Sequence, residues 1–219
     1  MNEIRIPVRD LSVSASLFGA APRRTVVVLG HGAGGDRSTP FLVRMAEAVA
    51  ASGRGALLYN FPYADHGRRR PDPPEVLETT ARAVGEAARA EFAAERLVTG
   101  GKSMGGRIAS QAAAGGARSD GLVFLGYPLH PPGKPERLRD GHLPAVQAPM
   151  LFVQGTRDAF ARWDLLTAVL ERLGDAATLH VVQEGDHSFS VPKRTGLTSG
   201  DVERQVQQAV LAWLDDRGL

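Results

Sequence analysis

The sequence predicts an α/β fold, a mostly parallel twisted sheet with helices on both faces. Three observations carry this expectation. Apolar β-type runs alternate with helical patterns from residue 25 to the end of the chain, the order expected of strands joined by crossover helices. Several runs, among them Thr25-Val26-Val27-Val28-Leu29 and Leu122-Val123-Phe124-Leu125, are continuously apolar, as strands buried on both faces must be. The segments between them repeat apolar residues every three or four positions, which gives each one buried face.

Taken in order, Ile4 to Val8 and Val13 to Leu17 alternate and read as a starting hairpin. After the strand at Thr25–Leu29, Ser38 offers an N-cap, with Pro40 in the first turn and Leu42, Met45 and Val49 on one helical face. Ala56 to Tyr59 is the next strand. Asp72-Pro73-Pro74 opens a long helix marked by Leu77, Ala81, Val84 and Ala88. Leu97-Val98 begins a strand that runs into glycines, and Gly106 to Ala112 reads as a helix stopped by Gly115-Gly116. Leu122–Leu125 and Met150–Val153 are buried strands. Leu166, Val169, Leu170 and Leu173 mark a helix ended by Gly174, Thr178 to Val182 is a last strand, and Val202, Val206, Val210 and Trp213 mark a final helix. No repeat or linker divides the chain, so residues 1–219 are expected to form one domain. The longest irregular stretch, Pro128 to Pro149, is too short for a cap domain and too long for a minimal turn.

With 219 residues, 43% apolar and 23% charged, the chain has the composition of an ordinary globular protein. It contains no cysteine, which excludes disulfides, a cysteine nucleophile and thiolate-bound zinc, and fits a reducing compartment. Met1 to Ile6 lacks the apolar core of a signal peptide, and no apolar run is long enough to span a bilayer. The expected location is therefore the cytoplasm, without a membrane partner. Positive charge is almost all arginine, with lysine only at 102, 134 and 193. No interleaved aromatic and basic stripe points to nucleic acid.

Function is carried by "LVTGGKSMGGR", Leu97 to Arg107. Gly101-Lys102-Ser103 resembles the end of a phosphate-binding loop, but such a loop needs a glycine five residues before Gly101, and Arg96 stands there. Gly101-Lys102-Ser103-Met104-Gly105 is also G-x-S-x-G. That pattern belongs to a nucleophile elbow, a strand, a one-residue bend carrying serine, and a helix. The small residues two before and two after the serine let the strained turn close. Strand, bend and helix are all present here, whereas an inert glycine-rich turn would not require the rest of the constellation below.

A second glycine-rich turn, "GHGAGG" at Gly30 to Gly35, matches the dinucleotide fingerprint G-x-G-x-x-G. The acid that should then close the next strand is missing, because that strand ends Tyr59-Asn60-Phe61. The alternative reading of His31-Gly32-Ala33-Gly34 is the H-G-x-G segment that supplies one oxyanion N–H in α/β-hydrolases. His31 itself reads as a structural hydrogen-bonder.

A serine hydroxyl needs a base to take its proton and an acid to orient that base. After Ser103 the chain offers Asp158 in "FVQGTRDAF", just past the strand at Met150, and His187 in "VVQEGDHSF", just past the strand at Thr178. The order serine, acid, histidine is that of α/β-hydrolases, and all three follow the carboxyl ends of parallel strands, where ligands bind in open sheets. Asp164 falls inside a helix, Asp186 is expected to shape the turn beside His187, and His66, His130, His142 and His180 are weaker bases by position. The backbone N–H groups of Met104 and Ala33, with Gly34 as alternate, are the expected oxyanion hole. No metal-ligand spacing is present, so neither metal nor cofactor is expected.

The set "GHGAGG", "FPYADHGRRRPD", "GGKSMGGR", "GYPLHPPGKPERLRDGHL", "QGTRD" and "GDHSF" resembles the KANL/testis-expressed-like family of predicted α/β-hydrolases, related to the dienelactone hydrolases. The resemblance runs from about residue 25 to the end. It implies an eight-stranded sheet whose second strand is antiparallel, and Ser103, Asp158 and His187 as the triad. Dienelactone hydrolases carry a cysteine nucleophile, so their specificity is not implied. Some eukaryotic relatives resemble subunits of chromatin complexes, which keeps a non-catalytic binding or assembly module as the alternative. The expectation is a cap-less serine hydrolase of the α/β-hydrolase fold, acting on a small-molecule acyl substrate such as an ester or thioester. Arg68-Arg69-Arg70 and Lys134, Arg137 and Arg139 follow strands and read either as a basic rim favouring anionic substrates or as solvated surface.

Overall fold

A computed structural model describes residues 2–219. The chain opens with the antiparallel hairpin of β1 (Asn2–Val8) and β2 (Leu11–Phe18). There follow β3 (Thr25–Gly30), α1 (Pro40–Ala51), β4 (Gly55–Tyr59), the short α2 (Pro62–Asp65), α3 (Pro74–Phe92) and β5 (Arg96–Lys102). The second half holds α4 (Met104–Ala114), β6 (Gly121–Leu125), β7 (Met150–Gly155), α5 (Trp163–Leu173), β8 (Ala177–Val182) and α6 (Ser199–Asp216). Eight strands form one sheet in the order β1-β2-β4-β3-β5-β6-β7-β8. Strand β2 runs antiparallel to both its neighbours, and β3 through β8 are parallel to one another. The α/β expectation and the antiparallel second strand are both borne out.

The continuously apolar strands are buried on both faces because helices cover both. Val26, Val28 and Leu97 face α3 and α4 and pack with Leu77, Val84 and Ile108. Val27, Leu29 and Val98, one residue out of phase, face α1 and α6 and pack with Leu42, Val49, Val206 and Trp213. A third cluster joins Leu122, Phe124, Met150 and Phe152 to Leu166 and Val169 of α5. Its other members, Leu129, Leu143 and Val146, come from the irregular stretch between β6 and β7, which contains one short 3-10 turn, Leu143–Ala145. That stretch packs against the body, and no cap domain interrupts the fold there.

Two helix starts differ from expectation. Ser38 does not cap α1. Thr39 occupies the cap position without a side-chain bond, and the Ser38 N–H and hydroxyl both bond Asp36 Oδ1, at 2.8 and 2.5 Å. Both hydroxyls are already engaged, Ser38 by Asp36 Oδ1 and Thr39 by the Asp36 carbonyl at 2.8 Å, and Pro40 presets the helical φ of the first turn. Asp72 likewise lies outside α3, which Pro73 precedes; its carboxylate accepts from Tyr63 N at 2.8 Å and from Arg68 at 2.7 Å, closing the α2–α3 loop. At the far end, Thr198 and Asp201 form a reciprocal capping box at the start of α6.

Candidate active site

Strand β5 continues through the glycines to Lys102, and α4 begins at Met104, so Ser103 alone makes the bend. Its φ of 51° and ψ of −116° lie where non-glycine residues are rare. The two flanking glycines make the bend feasible. Gly101 holds φ +146°, and a Cβ on either Gly101 or Gly105 would collide with the carbonyl of Gly30 at the end of β3. The sheet register sets this closeness, since Gly30 and Gly101 are directly paired. Ser103 N donates to Leu125 O at 3.1 Å, which ties the bend to β6 as well.

Three residues past β7, Asp158 has a fully buried side chain. Its Oδ1 accepts from Phe160 N at 2.7 Å. Its Oδ2 accepts from Gln154 Nε2 at 2.5 Å and from His187 Nδ1 at 2.7 Å. Because a carboxylate only accepts, His187 carries its proton on Nδ1, and Nε2 is left to accept from the Ser103 hydroxyl at 2.8 Å. His187 follows β8 in a tight turn shaped by Asp186, whose Oδ1 accepts from Ser188 N at 2.8 Å and Ser190 N at 2.9 Å. Phe160 lies against the imidazole, with ring centroids 4.2 Å apart. The structure thus brings Ser103, His187 and Asp158 into one hydrogen-bonded row beyond the carboxyl ends of β5, β8 and β7.

An open cleft above this row is lined by Gly32, Ala33, Phe41, Ser103, Phe160 and His187, among others. Met104 is the first residue of α4, so its N–H has no intrahelical acceptor. The loop bearing Ala33 is held by His31, which is buried. Its Nδ1 donates to Gly32 O at 2.8 Å, and its Nε2 accepts from Phe61 N at 3.1 Å. Burial pulls the His31 pKa below the ordinary histidine value.

The rival residues lie elsewhere. Asp164 is exposed and paired with Arg162 at 2.7 Å. His66 bonds Pro62 O, His130 bonds Pro131 O and Arg162 N, His142 bonds Ser110, and His180 meets Gln205 from within β8. Arg68, Arg69 and Arg70 line a separate depression with Pro71, Asp72 and Pro73; neither they nor Lys134, Arg137 and Arg139 are among the residues lining the Ser103 cleft. Of the two readings of these basic residues, the solvated surface agrees with the lining of this cleft, and Arg68 pairs locally with Asp72 at 2.7 Å. Sequence reading missed Gln154 and Phe160. Gln154 is fully buried, and its Oε1 accepts from Tyr127 N at 2.8 Å, which orients the amide that meets Asp158. The available signal was a polar residue inside an otherwise apolar buried strand.

A family model described as "Alpha/beta hydrolase domain" matches residues 23–215. The chain belongs to the alpha/beta hydrolase domain family. Solved structures with similar folds include a serine hydrolase without a lid from Xanthomonas campestris, 20% identical over 97% of this chain and 94% of that one, with a TM-score of 0.76. A dienelactone hydrolase from Anabaena variabilis is 19% identical over 98% and 96%, with a TM-score of 0.74. A serine hydrolase homologue from Coxiella burnetii is 14% identical over 95% and 96%, also with a TM-score of 0.74. At these identities the likeness is one of fold. Among the described residues, this alpha/beta hydrolase domain has no helix long and apolar enough to cross a membrane. Nor do the described residues hold a cluster of three or more side chains suited to a metal ion.

Proposed function

We propose that this alpha/beta hydrolase is a serine hydrolase that cleaves an ester, thioester or related acyl bond of a small-molecule substrate through an acyl-Ser103 intermediate. The observation that carries the reading is the continuous row from Ser103 Oγ through His187 to Asp158, with contacts of 2.8 and 2.7 Å. His187 Nε2 takes the hydroxyl proton as Oγ attacks the acyl carbon, and Asp158 stabilises the imidazolium and holds its tautomer. The carbonyl oxygen becomes an oxyanion facing the N–H groups of Met104 and Ala33. One such donor is worth about 3 kcal/mol of barrier. Collapse of the tetrahedral adduct expels the alcohol or thiol, which receives the proton from His187. Water, activated by the same base, then releases the acid and regenerates Ser103. The open cleft fits a substrate that needs no lid to enclose it. Within the family, the segments "GRRRPD" and "GYPLHPPGKPERLR" support the KANL/testis-expressed-like branch.

Fluorophosphonate labelling followed by intact-mass spectrometry tests the reading. One adduct, mapping to Ser103 and lost in Ser103→Ala, is the expected outcome. An adduct on a different serine overturns the nucleophile assignment. A protein that neither labels nor turns over a broad acyl panel, yet retains a stable protein partner, is an assembly module.

A further inference from the structure

Lys102 is the residue before the proposed nucleophile, and its side chain does an unusual thing. Lysine ammonium groups ordinarily reach for water. Here Nζ turns inward and donates to the main-chain carbonyl oxygen of His187. It also lies 5.1 Å from the ring centroid of Phe189, two residues further on, within cation–π range. No carboxylate pairs with it within 4.0 Å among the described residues. Asp158 and Asp186 act on it from greater distance, and burial outweighs them, lowering its pKa to about 8. Gly126, at the end of β6, leaves the space this requires, since a Cβ there would sit 2.9 Å from Nζ and 3.3 Å from His187 O.

His187 needs such a support. It lies beyond β8 in a turn, outside any sheet ladder, and no backbone donor reaches its carbonyl among the described residues. Asp186 secures the turn through the N–H groups of Ser188 and Ser190. Among the described residues, the carbonyl of His187 itself is met by Lys102 alone.

We propose that Lys102 is a positioning residue for the base. From the last position of the strand that delivers Ser103, its ammonium holds the main chain of His187, so nucleophile and base are referenced to one strand end. The inference rests on the serine-hydrolase reading. Misplacing a reacting group by about an ångström can cost on the order of a hundredfold in rate, and a charge-assisted hydrogen bond is strong enough to prevent such a drift.

Lys102→Met keeps most of the apolar stem and removes the donor. The expected result is Ser103 labelling by fluorophosphonate slowed on the order of tenfold, with hydrogen exchange quickened at residues 186–190 and unchanged in β5 and α4. Because the chain has no cysteine, Lys102→Cys can be aminoethylated with 2-bromoethylamine at that one thiol. This rebuilds a lysine analogue, which should restore both the labelling rate and the protection. The same pair of measurements decides the matter should Lys102→Met not fold. Labelling at the wild-type rate in Lys102→Met, or slowed labelling that the rebuilt ammonium does not restore, overturns the proposal. A wild type inert to fluorophosphonate overturns the hydrolase reading instead, and unchanged exchange at residues 186–190 in the unalkylated variant separately removes the role of Lys102.

Discussion

Ser103 sits at φ 51° and ψ −116°, a conformation that costs a residue with a Cβ about 1–3 kcal/mol. Ser103→Gly relieves that strain, so urea unfolding should show a gain of about 1 kcal/mol while ester hydrolysis disappears. An unchanged or lower stability means that the bend stores no strain at this residue. Asp158 makes its case through acceptors: each oxygen is occupied, and Oδ2 receives both Gln154 and His187. Asp158→Asn places an amide where only an acceptor serves, and it should lower kcat by roughly 10⁴-fold, the loss seen when a triad acid is replaced by its amide. Circular dichroism should show the fold retained. Greater damage from Asp164→Asn or Asp186→Asn would move the acid elsewhere. The geometry makes that unexpected, since Asp164 is exposed with Arg162 and Asp186 serves backbone N–H groups.

At the scale of elements, the sequence was most legible where strands and helices are buried by their own pattern, and least legible at helix starts. Residues Thr25–Leu29 and Val202–Trp213 announced β3 and α6 by run and periodicity. Ser38 has the chemistry of a cap, but its side chain is taken by Asp36, and nothing in the local sequence distinguishes the two uses. The box at Thr198 and Asp201 is a true cap: Thr198 Oγ1 accepts from Asp201 N at 3.2 Å, and Asp201 Oδ2 accepts from Thr198 N at 2.8 Å. Thr198→Ala should cost about 1 kcal/mol of stability by denaturant unfolding and leave acyl-ester turnover unchanged, because α6 buries its face on the side of the sheet formed with α1. A variant as stable as the wild type would show that α6 is held by packing alone.

For the whole molecule, three histidines withdrawn from water, His31 fully and His142 and His180 in part, contribute to the response to acid. Burial lowers the pKa of His31, His142 and His180 in the folded protein from the ordinary value of 6.5, and for His142 the nearby Arg107 adds to it. The folded state therefore binds fewer protons than the unfolded chain as pH falls. Their contribution to stability is complete above the unfolded value, and it is lost as pH drops through the lowered folded values. His31 should weigh most, being fully buried with Nδ1 donating to Gly32 O and Nε2 accepting from Phe61 N. Protonating Nε2 breaks the second bond and loosens the loop that carries Ala33. Unfolding free energy should thus fall between about pH 7.5 and about pH 5.5, a window where histidines rather than carboxylates titrate. Equal stability at the two pH values would show that these imidazoles take up protons as readily in the folded protein as in the unfolded chain.

What the sequence determined by itself is what short-range sterics and pattern can encode. Continuous apolar runs specified strands covered on both faces. Glycines on either side of Ser103 specified a bend only they permit, and the order of Ser103, Asp158 and His187, each just past a parallel strand, put all three at the carboxyl ends of the sheet. The tertiary structure decided which side chains meet at those strand ends. Gln154 reaches both Asp158 and the N–H of Tyr127 because β6 and β7 lie side by side. Lys102 reaches the carbonyl of His187 across 85 positions of sequence. The arginines at 68–70, which follow a strand as the site residues do, line a separate depression instead, where Arg68 pairs with Asp72. Such contacts leave no periodic trace in the chain, because they depend on the lateral order of strands and the direction of single side chains, which are fixed only when the sheet is assembled and both its faces are packed.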